Sequence, residues 1–253
     1  RARYLEWAAA NRRAVREQCG RAVGYVHLAD MEERGYEDFC RGFLVDARSD
    51  RDALIIDVRG NEGGSVSDLV LQRLCLPRLG HEAPAHGQCT QLPEHAAPPA
   101  LVLLIDEHTS SDAEVVAYYL ASEGRATLVG ARTWGGVFAM GVTELADGTE
   151  VFHPECRMHL IKDGWAIENV GVSPHVCAPW PPSGEPCDVQ LRAAAHTAAA
   201  LAREVAAAHA SDAESSQLEP LPRRQQHWSV RPQTAAIDAS SKQNEAEQHE
   251  ACE

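Results

Sequence analysis

The chain has 253 residues, a formal net charge of −14, and 44% hydrophobic residues. That length and apolar content allow one sizeable core, alone or with an appendage. The acidic balance lacks the basic cluster that tracks phosphates, so nucleic acid is not an expected partner. No window of about 18 apolar residues offers a membrane span.

In chain order, residues 5–18 read as a polar-faced helix and Val23 to Leu28 as a strand. Residues 33–47 carry Tyr36, Phe39, Cys40, Phe43 and Leu44 at helical spacing. Ala53 to Val58 is continuous and apolar, as parallel strands are. Residues 65–76 predict a helix, and a loop rich in Pro, His and Gly covers 77–99. A buried strand over 100–105, a helix over 112–122 and a short strand over 126–129 follow. This alternation predicts an α/β layout with a largely parallel sheet. Asp147-Gly148 then marks a hairpin between 141–145 and 149–152, with a possible further strand at Arg157 to Ile161. Residues 193–208 form an Ala-rich helix whose inner face is Leu191, Ala195, Ala198 and Ala202. We place a core domain at 1–208 and a polar, disordered tail at 209–253.

The eight cysteines form no C-x-x-C pair. Cys40 and Cys75 fall in apolar helical patterns and read as reduced core thiols, which points to a reducing, cytoplasmic setting. The twelve histidines show no H-E-x-x-H or similar spacing, so neither a metal nor a cofactor is expected. The N-terminus lacks both a signal-peptide pattern and a starting Met, which leaves an upstream targeting segment open.

Asp106-Glu-His-Thr-Ser-Ser-Asp112 joins a buried strand to a helix start. Unpaired backbone N–H groups of a new helix point at whatever a serine on that turn attacks. This is the layout of a nucleophile beside an oxyanion hole; it is also that of a simple N-cap. Gly63-Gly64 before the next-earlier helix permits close backbone approach and supplies N–H donors, or is only a turn. No G-K-[ST] follows, so it is not a phosphate loop. Both segments, with Gly130 to Gly136, lie at the C-terminal ends of predicted strands, where open α/β sheets bind ligands.

Five strings, in order, carry a resemblance: Gly24 to Asp30, Ile56 to Gly64, Thr109 to Asp112, Gly130 to Gly136 and Ile167 to Pro174. They resemble the core of tricorn-type serine peptidases, in the tail-specific (C-terminal processing) peptidase family, over residues 1 to about 205. The resemblance implies a crotonase-like stack of ββα units, a peptide substrate and a homo-oligomer. It implies Ser111 as nucleophile, the N–H groups of Asp112 and Gly64 as oxyanion hole, and Glu168 as the carboxylate completing a charge relay through a serine. Glu82 falls where tricorn enzymes carry an acidic residue, supplied by a neighbouring subunit, that favours basic side chains; it also reads as a solvated loop carboxylate.

Two departures matter. The processing peptidases use a Ser–Lys pair, but Gly136 stands at the lysine position. Lys162 and Lys242, the only lysines, are not placed to serve. Activation is therefore expected from a histidine. In the family the Ser-His pair lies upstream of the helix that corresponds to residues 5–18. His27 reads as a packed strand residue and His108 as pointing elsewhere. Two other readings remain: an inactive peptide- or ligand-binding module of the same fold, and a crotonase-like acyl-CoA enzyme.

Overall fold

The computed structural model describes residues 1–46, 51–82, 90–180 and 187–215. Helix α1 (Ala2–Cys19) leads into strand β1 (Val23–His27), helix α2 (Glu33–Asp46), strand β2 (Ala53–Asp57) and helix α3 (Ser67–Cys75). A short antiparallel pair, β3 (Gly80–Glu82) and β4 (Thr90–Leu92), precedes β5 (Ala100–Ile105), α4 (Asp112–Ser122) and β6 (Ala126–Gly130). The hairpin β7 (Ala139–Glu144) and β8 (Glu150–Cys156), strand β9 (Val176–Cys177) and helix α5 (Val189–Ser215) complete the order. Arg1–Ala213 form one unit.

Five strands make one all-parallel sheet in the order β1-β2-β5-β6-β9. The continuous apolar strands are the consequence of burial on both faces. Alternate residues feed two separate cores. Val26, Leu54, Ile56, Leu101, Leu103 and Ile105 pack with Phe39 and Phe43 of α2, Val70 and Leu74 of α3, and Val116 and Leu120 of α4. Val23, Tyr25, Ile55, Val102, Leu104 and Val129 pack with Val15 of α1 and with Leu191, Ala194, Ala195 and Ala198 of α5. Spatial order follows chain order, so right-handed crossovers put α2, α3 and α4 on one face. The opposite face is left to α1 and α5, and the alanines of α5 let it approach closely.

The expected α/β layout and parallel sheet are both present. The segment 77–99 is not all loop: it holds β3 and β4, which at three residues each are too short to show a period. Arg157 to Ile161 is not a strand; only an isolated bridge joins Leu160 to Gly164. Strand β9, two residues long, has no sequence signature. Helix α5 starts at Val189 and runs to Ser215, longer at both ends than its alanine run. The rest of the expected tail, 216–253, lies outside the described residues.

Helix α1 seals the edge of the sheet. Tyr4 Oη bonds His27 Nδ1 at 3.0 Å, and Trp7 packs edge-on against the same ring at 4.7 Å. His27 is therefore a packed strand residue, as expected. At the C-terminal end of β2, Asp57 holds Arg59 through Nε at 2.9 Å and Nη2 at 2.7 Å. Arg59 Nη1 reaches Asp188 and Gln190 at the start of α5.

Leu103 is fully buried in the centre of the sheet. We expect Leu103→Ala to lower the unfolding free energy by about 2–5 kcal/mol in urea titrations. Burial pushes the His27 imidazole below its ordinary value of 6.5. The folded state thus holds it neutral while the unfolded chain binds a proton. Its contribution to stability is complete above about pH 6.5 and is lost as pH falls below that. Urea midpoints measured across this window should decline, and His27→Gln should remove that part of the decline.

Candidate active site

The site lies at the C-terminal edge of the sheet, where the turns after β2, β5 and β6 meet. Ser111, the residue before α4, has φ 53° and ψ −125°. A left-handed φ at a non-glycine residue costs about 1–3 kcal/mol and persists only where the surroundings impose it.

Glu114 does much of the imposing. It is fully buried one turn into α4. Its Oε1 accepts the Thr133 hydroxyl and the Gly135 N–H at 2.8 Å. Its Oε2 accepts the N–H groups of Gly136 at 2.8 Å and Ser111 at 3.1 Å. The Ser111 N–H also reaches the Gly136 carbonyl at 2.9 Å. The serine turn is thus tied to the loop after β6 from both directions. Sequence reasoning misses Glu114. The Ser-x-x-Glu spacing of a capping box is its visible signal.

The glycine pair is divided in role. The Gly63 N–H donates to Asn61 Oδ1 at 2.9 Å. Among the described residues, the N–H groups of Gly64 and Asp112 have no acceptor. Gly63 has φ +101°, and a Cβ there would lie 2.5 Å from Ser111 Cβ and 3.0 Å from its Oγ. Only glycine lets this backbone lie against the serine. Buried Asn61 also fixes the loop by bonding the Leu28 carbonyl at 3.0 Å and accepting the Ser110 N–H on its own carbonyl at 2.9 Å. The Asp112 carboxylate accepts the Ser67 N–H at 2.7 Å, which locks the start of α3 to that of α4.

Asp106 and Thr109 close the turn. Asp106 Oδ1 accepts the Gly60 N–H at 3.0 Å and the Thr109 hydroxyl at 3.0 Å. The Trp134 N–H reaches the Thr109 carbonyl at 3.0 Å. A Cβ on Gly136 would lie 2.2 Å from the Trp134 ring, so the ring occupies the space a lysine side chain would need to leave the backbone.

Glu168 is half-buried. Its Oε2 accepts the N–H groups of Val137 at 2.9 Å and Phe138 at 3.2 Å. Asn169, at φ 60°, donates its N–H to the Gly135 carbonyl at 2.7 Å. The carboxylate is therefore held on the loop that Glu114 also holds. Among the described residues, neither His27 nor His108 is hydrogen-bonded to Ser111 or Glu168. Glu82 is exposed on β3 and makes no bond to this cluster. His108 is exposed and lines a cavity with Glu62, Glu107, Ser110 and Trp134. No group of three or more His, Cys, Asp or Glu among the described residues could hold a metal.

Truncating Glu114 leaves three donors without it, the Thr133 hydroxyl and the N–H groups of Gly135 and Gly136, while the Ser111 N–H keeps the Gly136 carbonyl. Glu114→Ala should lower the unfolding free energy by more than Thr133→Val, since an unmatched buried donor costs about 1–3 kcal/mol and Glu114 serves several while Thr133→Val disturbs the bonds of one hydroxyl. Chemical denaturation of the two variants checks this order.

The model of peptidase family S41 matches residues 22–178. The tricorn protease of Thermoplasma volcanium is 35% identical over 181 residues, covering 71% of this chain and 17% of that protein. The putative tricorn protease homolog 2 of Streptomyces coelicolor is 37% identical over 175 residues, covering 69% of this chain and 15% of that protein. A crystal structure of the tricorn protease superposes with a TM-score of 0.73 at 33% identity, over 81% of this chain and 20% of that one. The chain thus spans a small part of the length of these relatives. With the family match covering most of the described fold, the chain belongs to peptidase family S41.

Proposed function

We propose that the chain is the catalytic core of a serine-type peptidase acting on short peptides or protein C-termini. The observation that carries this reading is the pair of acceptor-free N–H groups, Gly64 and Asp112, flanking a serine held at positive φ. Ser111 Oγ attacks the peptide carbonyl as a histidine takes its proton. The tetrahedral oxyanion rests on the two N–H groups, each worth about 3–4 kcal/mol of barrier by analogy with other such donors. The histidine then protonates the leaving amine. Water releases the acyl group in a second attack and restores the serine. Glu168 orients the proton relay, and the chain acts as a homo-oligomer in which Glu82 favours basic side chains in a neighbouring site.

A binding module of the same fold is the second reading. It is favoured by one observation: no histidine is bonded to Ser111 among the described residues.

Labelling by a fluorophosphonate probe separates the two. We expect labelling at Ser111, absent in Ser111→Ala, once the histidine is present. The chain is tested both alone and with any residues that precede Arg1 in its gene. Gly63→Ala should slow labelling on the order of 100-fold, because its Cβ displaces the serine. Absence of labelling in every form leaves the binding module.

A further inference from the structure

We propose that an arginine-lined cavity at the N-terminal edge of the sheet binds a phosphate group. The group is the free ion or the phosphoryl group of a small phosphomonoester. The cavity adjoins Val23, the first residue of β1, and Arg51, just ahead of β2. In a parallel sheet this is the opposite end of the strands from the Ser111 turn. The proposal therefore does not rest on the peptidase reading.

The cavity measures about 140 Å³. That is the liquid volume of roughly four or five waters, and well below the roughly 300–1,000 Å³ of sites for drug-sized ligands. Helix α1 contributes Arg12, Arg13 and Arg16 to its lining, α2 ends there in Asp46, and Arg51 completes it. Four guanidiniums face one carboxylate, an excess of three positive charges in a chain of net charge −14. Arg12 and Arg16 are four residues apart on α1, a spacing at which like charges repel and weaken a helix.

Asp46 offsets only part of this charge. It pairs with Arg12 Nε at 2.6 Å and with Arg51 Nη2 at 3.0 Å, and its side chain is 3% exposed. Arg13 and Arg16 are exposed, and among the described residues neither has an ion-pair partner. Arg51 supplies the second observation. Its Nη1 donates to the carbonyls of Arg21 at 2.7 Å and Val23 at 3.3 Å, and its Nη2 to Asp46 Oδ1. These bonds hold the guanidinium in place with only 13% of the side chain exposed. Its Nε is shut off from solvent and has no acceptor among the described residues. A charged donor withdrawn from water without an acceptor is costly, and the protein leaves that charge uncompensated.

A phosphate dianion matches this lining. The planar forks of arginine bond its oxygens two at a time, and its charge cancels most of the excess that Asp46 leaves. A carboxylate brings one charge and two oxygens, and so engages fewer of the forks. A cation is repelled. Arg12 and Arg51 are already fixed on Asp46, so little ordering remains when the anion enters; Arg13 and Arg16 close on it from solvent. A nucleic-acid backbone requires a run of basic contacts, whereas folding gathers these four arginines around one small cavity.

The test is calorimetric titration of the whole chain with inorganic phosphate, phenyl phosphate and acetate, with chloride holding the ionic strength constant. We expect one-to-one binding of phosphate or phenyl phosphate with a Kd of about 1 mM or tighter, and acetate weaker by about tenfold or more. Binding of phosphate alone identifies the free ion as the occupant. Binding of phenyl phosphate, with or without phosphate, identifies a phosphomonoester. Combining Arg13→Gln with Arg16→Gln should weaken binding about tenfold or more. Arg3→Gln, on the same helix but outside the cavity lining, should leave it unchanged. All three arginines are exposed, and circular dichroism confirms the fold of the variants. Three results overturn the proposal: no saturable binding of either phosphate compound, acetate binding as tightly as they do, or binding that survives the double substitution. An equal loss in Arg3→Gln also overturns it, because the effect is then one of net charge and not of this cavity.

Discussion

The buried carboxylate of Glu114 is the constraint on which the site depends. A carboxylate withdrawn from water must be surrounded by donors. Its donors are the Ser111 and Gly136 N–H groups, the Gly135 N–H and the Thr133 hydroxyl. Satisfying this one group brings the turn after β5 against the turn after β6. The unfavourable φ of Ser111 is held by those same bonds. Thr133 extends the tie, since its Oγ1 accepts the Val172 N–H at 2.7 Å. The loop that carries Glu168 is fixed by that extension.

The turn after β2 is held by a second set of groups. Asn61 shapes it from within and Asp106 from the neighbouring strand. The result is that Gly63 uses its N–H internally while Gly64 keeps its own outward. A mechanism that needs donors at the place where charge develops gains from this division, because no reorganisation is required when the charge appears. Asp112 serves two ends: its N–H faces the site while its carboxylate caps α3.

Much of the fold is legible in the sequence because the strands are buried on both faces and therefore read as unbroken apolar runs. Val23 to Leu28, Ala53 to Val58 and Ala100 to Ile105 show this. The inner face of α5 is equally plain, since Leu191, Ala195, Ala198 and Ala202 repeat at helical spacing and all are buried. Strands β3, β4 and β9 are not legible: two or three residues held by neighbours carry no period. At the site, Ser111, Gly64 and Asp112 are visible through their position between strand and helix. Glu114 escapes notice because a glutamate in the first turn of a helix ordinarily faces solvent. Only the packing of the β6 loop over it converts it into a buried hub. The bonds of Glu168 to Val137 and Phe138 depend on a loop closure that spacing cannot reveal.

The sequential order of the sheet bears on how the chain is made. Each new strand docks beside the one synthesised before it, so the face covered by α2, α3 and α4 can close as the chain leaves the ribosome. The other face cannot. Leu104, Val102 and Val129 wait for α5, and the bonds from Arg59 to Asp188 and Gln190 span about half the chain. A nascent chain halted before Asp188 exposes an apolar sheet surface. Helix α5 is therefore what separates a protected translation product from one that a chaperone must hold.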